Sequence, residues 1–283
     1  MAEFFTIFLA LIFETTPFLL AGVAIAAVGG PWLERSLSSA AMRTPGVGAM
    51  AGSGAGIFLP MCDCGSRPLA HRLALAGKRE FAMAFMVAAP VINPIVLVTT
   101  WLAFRDAELL ALRFGLTLSI ALATAFVLVR LRGELALPGT GGHGHDDHGG
   151  SGWSEMPGNI LREFFELFQF LVLGSAMAAA IQVFVDQSLL TEAQGIFLSV
   201  AAMMALAFLL SICSSVDAFV VSGLAGALGT GPILAFLVFG PVVNLKSMPL
   251  YLRLFSVPTV IILVVIATQV AFVSSVAVQL RAW

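Results

Sequence analysis

The chain has 283 residues, 59% of them hydrophobic and 11% charged, with a formal net charge of -2 and a mean hydropathy of +1.01. Soluble domains carry roughly 25% charged residues, so this composition excludes a soluble core and fits a series of apolar helices of about 20 residues each. The near-neutral charge gives no reason to expect a nucleic-acid partner, and three cysteines, Cys62, Cys64 and Cys213, are too few and too unevenly placed for a secreted disulfide framework.

The first apolar segment, roughly 4 to 28, is too long for a signal-peptide core and lacks a basic leader, so it reads as a membrane span. A polar loop with Pro31, Glu34, Arg35, Arg43 and Pro45 precedes a Gly-rich apolar stretch from about 46 to 64, which ends in FLPMCDCGS. Small residues there allow close helix packing, and Pro60 with Gly65 breaks the helix near the cysteines. Residues 67 to 80 hold Arg67, His71, Arg72, Lys78 and Arg79 and cannot face lipid. Residues 81 to 104 form a span interrupted by APVINP, and 108 to 130 form another.

GTGGHGHDDHGGSG then separates two halves, giving 1–133 as a first membrane unit, 134–156 as a hydrophilic His/Gly-rich linker and 157–283 as a second unit. The second unit holds apolar segments at about 160 to 185, 193 to 212, 231 to 250 and 256 to 280, with a Gly-rich piece from 214 to 229. The expected fold is an all-α polytopic membrane protein of two repeats, each with four to five helices, some broken or re-entrant. Eight full spans result, or ten if the pieces near 60–79 and 213–229 enter the bilayer. Arg67, Arg72, Lys78, Arg79, Arg130, Arg132, Arg162 and Arg281 fall on one side of the eight-span arrangement, and Arg35, Arg43, Arg105, Arg113 and Arg253 on the other. That bias places the N-terminus and the linker in the cytoplasm.

The repeat is carried by spacing. Cys62 and Cys213, Pro90 and Pro241, and Asn93 and Asn244 are each 151 residues apart, and Glu14 and Glu166 are 152 apart. The local strings read APVIN and GPVVN. Duplicated units with interrupted helices are typical of secondary transporters, whose sites lie where the halves meet. A proline inside a span frees a backbone carbonyl, tolerable only beside protein or a water-filled cavity. Asn93 and Asn244 therefore either satisfy the freed backbone, as ordinary polar glue between helices does, or touch a solute.

Candidate site residues follow from the same logic. Soft thiolates at Cys62, Cys64 and Cys213 suit Cu(I), Zn(II) or As(III), while the plainer reading makes them small apolar residues. Asp217 and Lys246 are charges in apolar runs, and an ion pair between them would lower the cost of both. Glu14, inside the first span, is the candidate for proton coupling; its mate Glu166 lies among interfacial charges. His143, His145 and His148 in the linker, with Asp146 and Asp147, form a weak divalent-metal composition, or simply a solvated connector. The basic cluster around His71 fixes topology or attracts an anionic solute.

The strings PMCDCGSRPLA, AFMVAAPVINPIVL, SICSSVDAFV and AFLVFGPVVNLKSM, in that order and spanning nearly the whole chain, resemble the predicted permease family that includes ArsP and YraQ. The resemblance implies a multi-spanning inner-membrane permease, with efflux of trivalent organoarsenicals associated with ArsP-type members. Asp63 stands where that family's first motif usually has Ser, and an oxygen ligand between two sulfurs would favour a cation over a neutral arsenical.

The expectation is thus a secondary permease of the bacterial inner membrane rather than an enzyme, without a cofactor. Its partners would be the lipid bilayer and a small-molecule or metal/metalloid substrate, with assembly into a homo-oligomer left open. Cys62, Asp63, Cys64, Asn93, Cys213, Asp217, Asn244 and Lys246 line its solute site. No G-x-x-x-x-G-K-[ST] string provides an ATP motor. The competing classes are a thiol oxidoreductase working through Cys62 and Cys64, an uptake permease for a small sulfur compound, and a non-transporting assembly subunit.

Overall fold

The computed structural model describes residues 2–36, 46–58, 61, 65–66, 69–70, 73–74, 79–130, 161–162, 164–165, 168–169, 171–176, 179–180, 195–214, 216–223 and 228–281. Among these residues the secondary structure is helical, with no β-strand. The chain is an all-α polytopic membrane protein. In chain order the helices are α1 (Ala2–Ser36), α2 (Val47–Phe58), α3 (Arg79–Ile92), α4 (Pro94–Phe104), α5 (Ala107–Arg130), α6 (Ile196–Leu210), α7 (Asp217–Ser222), α8 (Thr230–Val242), α9 (Met248–Leu254) and α10 (Val257–Arg281). Residues 161–180, where described, are helical too.

Among the described residues, three helical stretches are long and apolar enough to cross a membrane by length and composition: Glu80–Phe104, Ala107–Val127 and Val257–Arg281. They differ in surroundings. Within an apolar 18-residue stretch of each, 78% of the residues are buried in the first and 33% in the other two, so α3 lies at the centre while α5 and α10 turn one face outward. The large side chains they expose, Phe126, Ile261, Val265 and Val273 among them, would be errors on a soluble surface and are normal against acyl chains.

α3 and α8 form the core. Every residue from Phe81 to Ile92 and from Gly231 to Val242 is buried, and the two helices pack on one another. A helix apolar all round is what such a position requires. Around α3 pack α2 and α5, which also touch each other; around α8 pack α6 and α10, likewise in mutual contact. Small residues set these spacings. A Cβ added to Gly56 would come within 2.8 Å of the Ala89 Cα, and one added to Gly52 within 2.4 Å of the Phe81 carbonyl oxygen. On the other side, a Cβ on Gly240 would meet the Ala207 Cβ at 3.4 Å. Gly56 and Ala207, like Ala89 and Gly240, are 151 residues apart.

The two central helices end in different ways. Pro94 forces the preceding residue out of the helical region, and Asn93 is extended at φ -62° and ψ 132°, its Oδ1 accepting a hydrogen bond from the Ile95 N–H as the cap of α4. The break expected at APVINP is therefore present. The apolar segment from 231 to 250, in which Pro241 and Asn244 mark the matching interruption, is likewise two helices, α8 ending at Val242 and α9 beginning at Met248. The turn between them is built on Asn244, whose Nδ2 donates to the Gly240 carbonyl at 3.0 Å while its Oδ1 accepts from the Ser247 N–H at 2.9 Å. Tyr251 braces the turn by donating its hydroxyl to the Val242 carbonyl at 2.9 Å.

Close packing through Gly56 makes a direct expectation. Gly56→Val should destabilise the protein by about 1 to 3 kcal/mol through overpacking against the Ala89 backbone, whereas Gly54→Ala, with open space at its Cβ position, should be neutral or stabilising by up to about 1 kcal/mol. Thermal unfolding of the detergent-solubilised variants checks both.

Candidate functional site: a buried ion pair at a helix break

α6 ends at Ser211, which takes the left-handed conformation at φ 50°. Few residues other than glycine adopt it, and such strain gathers at functional sites. Ser211 donates its hydroxyl to the Phe208 carbonyl at 3.0 Å, and its oxygen receives the Lys246 N–H at 3.4 Å. Leu245 N–H likewise donates to the Phe208 carbonyl at 3.1 Å. The break after α6 and the turn after α8 are thus stitched together.

From Ser211 the chain passes through Cys213 into a turn in which the Val216 and Asp217 N–H groups donate to the Cys213 carbonyl. α7 follows, six residues long and packed against α4 and α8. A helix this short has no stability of its own. Its first residue is fixed by a charge: the Asp217 Oδ2 lies 2.6 Å from Nη2 of Arg113, and the two side chains are 3% and 0% exposed. Arg113 projects from α5, donates through Nη1 to the Thr100 hydroxyl of α4 at 2.6 Å, and reaches the Ser214 carbonyl at 3.5 Å through Nη2. Three atoms of this cluster, Arg113 Nε, Asp217 Oδ1 and Ser214 Oγ, are buried with no hydrogen-bond partner among the described residues.

This geometry corrects two readings of the sequence. Asp217 is paired with Arg113 rather than Lys246: the long Arg113 side chain reaches from α5 to the start of α7, whereas the turn bearing Lys246 docks on the end of α6. Arg113, counted there among the loop-side charges, is fully buried. Lys246 is itself buried at 4% exposure, and its backbone lies so close to Gly174 that a Cβ added there would approach its carbonyl oxygen to 2.5 Å.

Asn93 and Asn244 are both buried, and the hydrogen bonds described above go to their own local backbone. Cys213 is buried at 6% exposure, beside Ser214 of the cluster. Cys62, Asp63, Cys64, Glu166, His71, His143, His145 and His148 lie outside the described residues, as does the side chain of Glu14, whose backbone belongs to α1. Among the described residues no group of three or more His, Cys, Asp and Glu converges as a metal site. Sequence reasoning missed Arg113, Thr100 and Ser214. The signal was present for Arg113, a cation six residues inside an apolar helix, which ordinarily marks a functional position.

A model of a predicted permease family, the ArsP type, matches residues 1–280. The chain belongs to that family. It is 34% identical over 282 residues to the UPF0718 protein YcgR of Bacillus subtilis, covering 97% of this chain and 96% of that protein. It is also 30% identical over 254 residues, 86% of this chain and 83% of the other, to a Streptococcus mutans protein provisionally named a two-component membrane permease complex subunit. No solved structure matches the chain. The protein is a multi-pass membrane permease.

Removing one member of a buried pair leaves an uncompensated charge, so Arg113→Met or Asp217→Leu alone should cost about 3 to 5 kcal/mol. The double replacement should recover most of that loss, while pairing Asp217→Asn with Lys246→Met should recover none. A double-mutant cycle on unfolding temperature and membrane yield reads the difference.

Proposed function

We propose that this permease is a secondary transporter of the bacterial inner membrane that moves a small thiophilic solute by alternately exposing a midplane site between two related units, 1–133 and 157–283. The observation that carries this reading is the Arg113–Asp217 pair. It joins α5 of the first unit to the helix break of the second, far along the chain from each other, at a cost that packing alone does not require. Charges retained inside a membrane protein mark solute or ion paths by default. The breaks at Asn93 and Asn244 adjoin the two fully buried helices, which is where discontinuous helices of duplicated transporters form their sites.

The thiophilic assignment rests on Cys213, buried in the same break, together with Cys62 and Cys64 at the corresponding position of the first unit. Sulfur ligands select soft species such as Cu(I), Zn(II) and trivalent arsenicals. Asp63, Asp217, Lys246 and the two asparagines supply the polar side of the site, Glu14 carries the coupling proton, and His143, His145 and His148 collect metal at the cytoplasmic face. Efflux is the direction in which the family resemblance points. A second copy, or another subunit as the name of the Streptococcus mutans relative suggests, is compatible with this scheme.

Purified protein in liposomes should move at least one of methylarsonous acid, Cu(I), Zn(II) or a small thiol above the rate of empty vesicles. Cys213→Ser should slow that movement by ~10-fold or more if a sulfur–solute contact is lost. Folded protein that moves none of them in either direction overturns the reading. A Cys64→Ser variant that still transports excludes a mechanism based on thiol redox cycling.

A further inference from the structure

The three unpartnered atoms beside the ion pair define a chemistry more specific than solute transport. Arg113 uses Nη1 on Thr100 and Nη2 on Asp217, leaving Nε–H as a donor. Asp217 uses Oδ2, leaving Oδ1 as an acceptor. The Ser214 hydroxyl, able to donate or accept, is the third. All three residues are at least nine-tenths buried, and buried polar groups in proteins are almost always satisfied. In a membrane interior the shortage is sharper, because no bulk water compensates.

We infer that Arg113, Asp217 and Ser214 bind the hydroxyl group of a small, electrically neutral solute. A single hydroxyl meets the need: its hydrogen goes to Asp217 Oδ1, and the two lone pairs of its oxygen accept from Arg113 Nε–H and the Ser214 hydroxyl. A carbonyl or ether offers no hydrogen to the carboxylate, and an ammonium offers nothing to the two donors. Neutrality follows from the pair itself. Guanidinium and carboxylate already cancel one another at 2.6 Å, so a charged solute would find no counter-charge in this cluster and would bear the cost of desolvation alone. Thr100, by holding Nη1, fixes the plane of the guanidinium and so acts as a positioning residue.

This assignment rests on the permease reading and narrows it from soft ions to uncharged hydroxylated species carrying a soft atom. Three thiols of one skeleton separate the cases: 2-mercaptoethanol ends in a hydroxyl, 1-propanethiol in a methyl and cysteamine in an ammonium. Each is titrated into the purified full chain, and the rise in unfolding temperature gives an apparent affinity. 2-Mercaptoethanol should bind tightest, and Ser214→Ala should weaken it by roughly three- to tenfold, the worth of one hydrogen bond, without changing 1-propanethiol. Ser119→Ala, an exposed helix position, serves as the control and should change neither. Equal affinity for the hydroxyl and methyl compounds, preference for cysteamine, or no shift with any of the three overturns the assignment. Transport of a thiophilic solute without hydroxyl preference would sink this site alone; hydroxyl-selective binding without any transport would sink the permease mechanism alone.

Discussion

The Arg113–Asp217 contact is the constraint on which the geometry of the second helix break depends. A six-residue helix cannot hold itself, and the backbone ladder of α6 stops at the left-handed Ser211. What places the start of α7 is the guanidinium, reaching across from α5 while its other arm is held by Thr100 on α4, and Ser211 is tied to the turn after α8. Burying two charges is expensive, and their mutual attraction returns that expense only when the geometry is good and the remaining valences are met. Here the contact is short but three polar atoms nearby are left unmet. Stability alone does not account for such an arrangement, since apolar side chains of similar volume would pack the same space without the desolvation cost.

The two central helices meet the same backbone problem with different means. Each carries a proline in its last turn, Pro90 in α3 and Pro241 in α8, and each is followed by an asparagine. In the first case Pro94 imposes the extended conformation on Asn93 and the side chain only needs to cap the next helix. In the second no proline follows immediately, and Asn244 closes the turn with hydrogen bonds to both sides, aided by Tyr251. The difference explains why α4 restarts at once after one residue, whereas five residues separate α8 from α9.

Much of the fold was legible because hydropathy and breakers act locally. The span 81 to 104 with its interruption, the span 108 to 130 and the segment 256 to 280 correspond closely to α3 with α4, α5 and α10. The break inside 231 to 250 was marked by Pro241 and Asn244, but its length was not, since no proline directly follows Asn244 and LKSM is compatible with helix. Charges were the weakest part of the reading. Asp217 is recognisable as an intramembrane charge, and the nearest unexplained cation in sequence is Lys246, but its partner Arg113 lies on α5 more than a hundred residues earlier. Pairing across the chain depends on which faces of α4, α5 and α7 meet, and hydropathy carries no information on rotation about a helix axis.

The packing also says where movement is cheap. α2, α3 and α5 pack on one another, and so do α6, α8 and α10, with small residues such as Gly52, Gly56 and Gly231 bringing backbones into contact. Close-packed sets of this kind shift as units rather than deform. The breaks at Asn93, Ser211 and Asn244 differ, because side chains rather than a continuous helical ladder hold them. Side-chain hydrogen bonds can be exchanged for others at small net cost, while a ladder cannot be opened in lipid without stranding its amides. The ion pair anchors one of these breaks to α5, and α10 packs on α5 as well as on α6, so the two groups of helices are joined both by side-chain charge and by apolar packing.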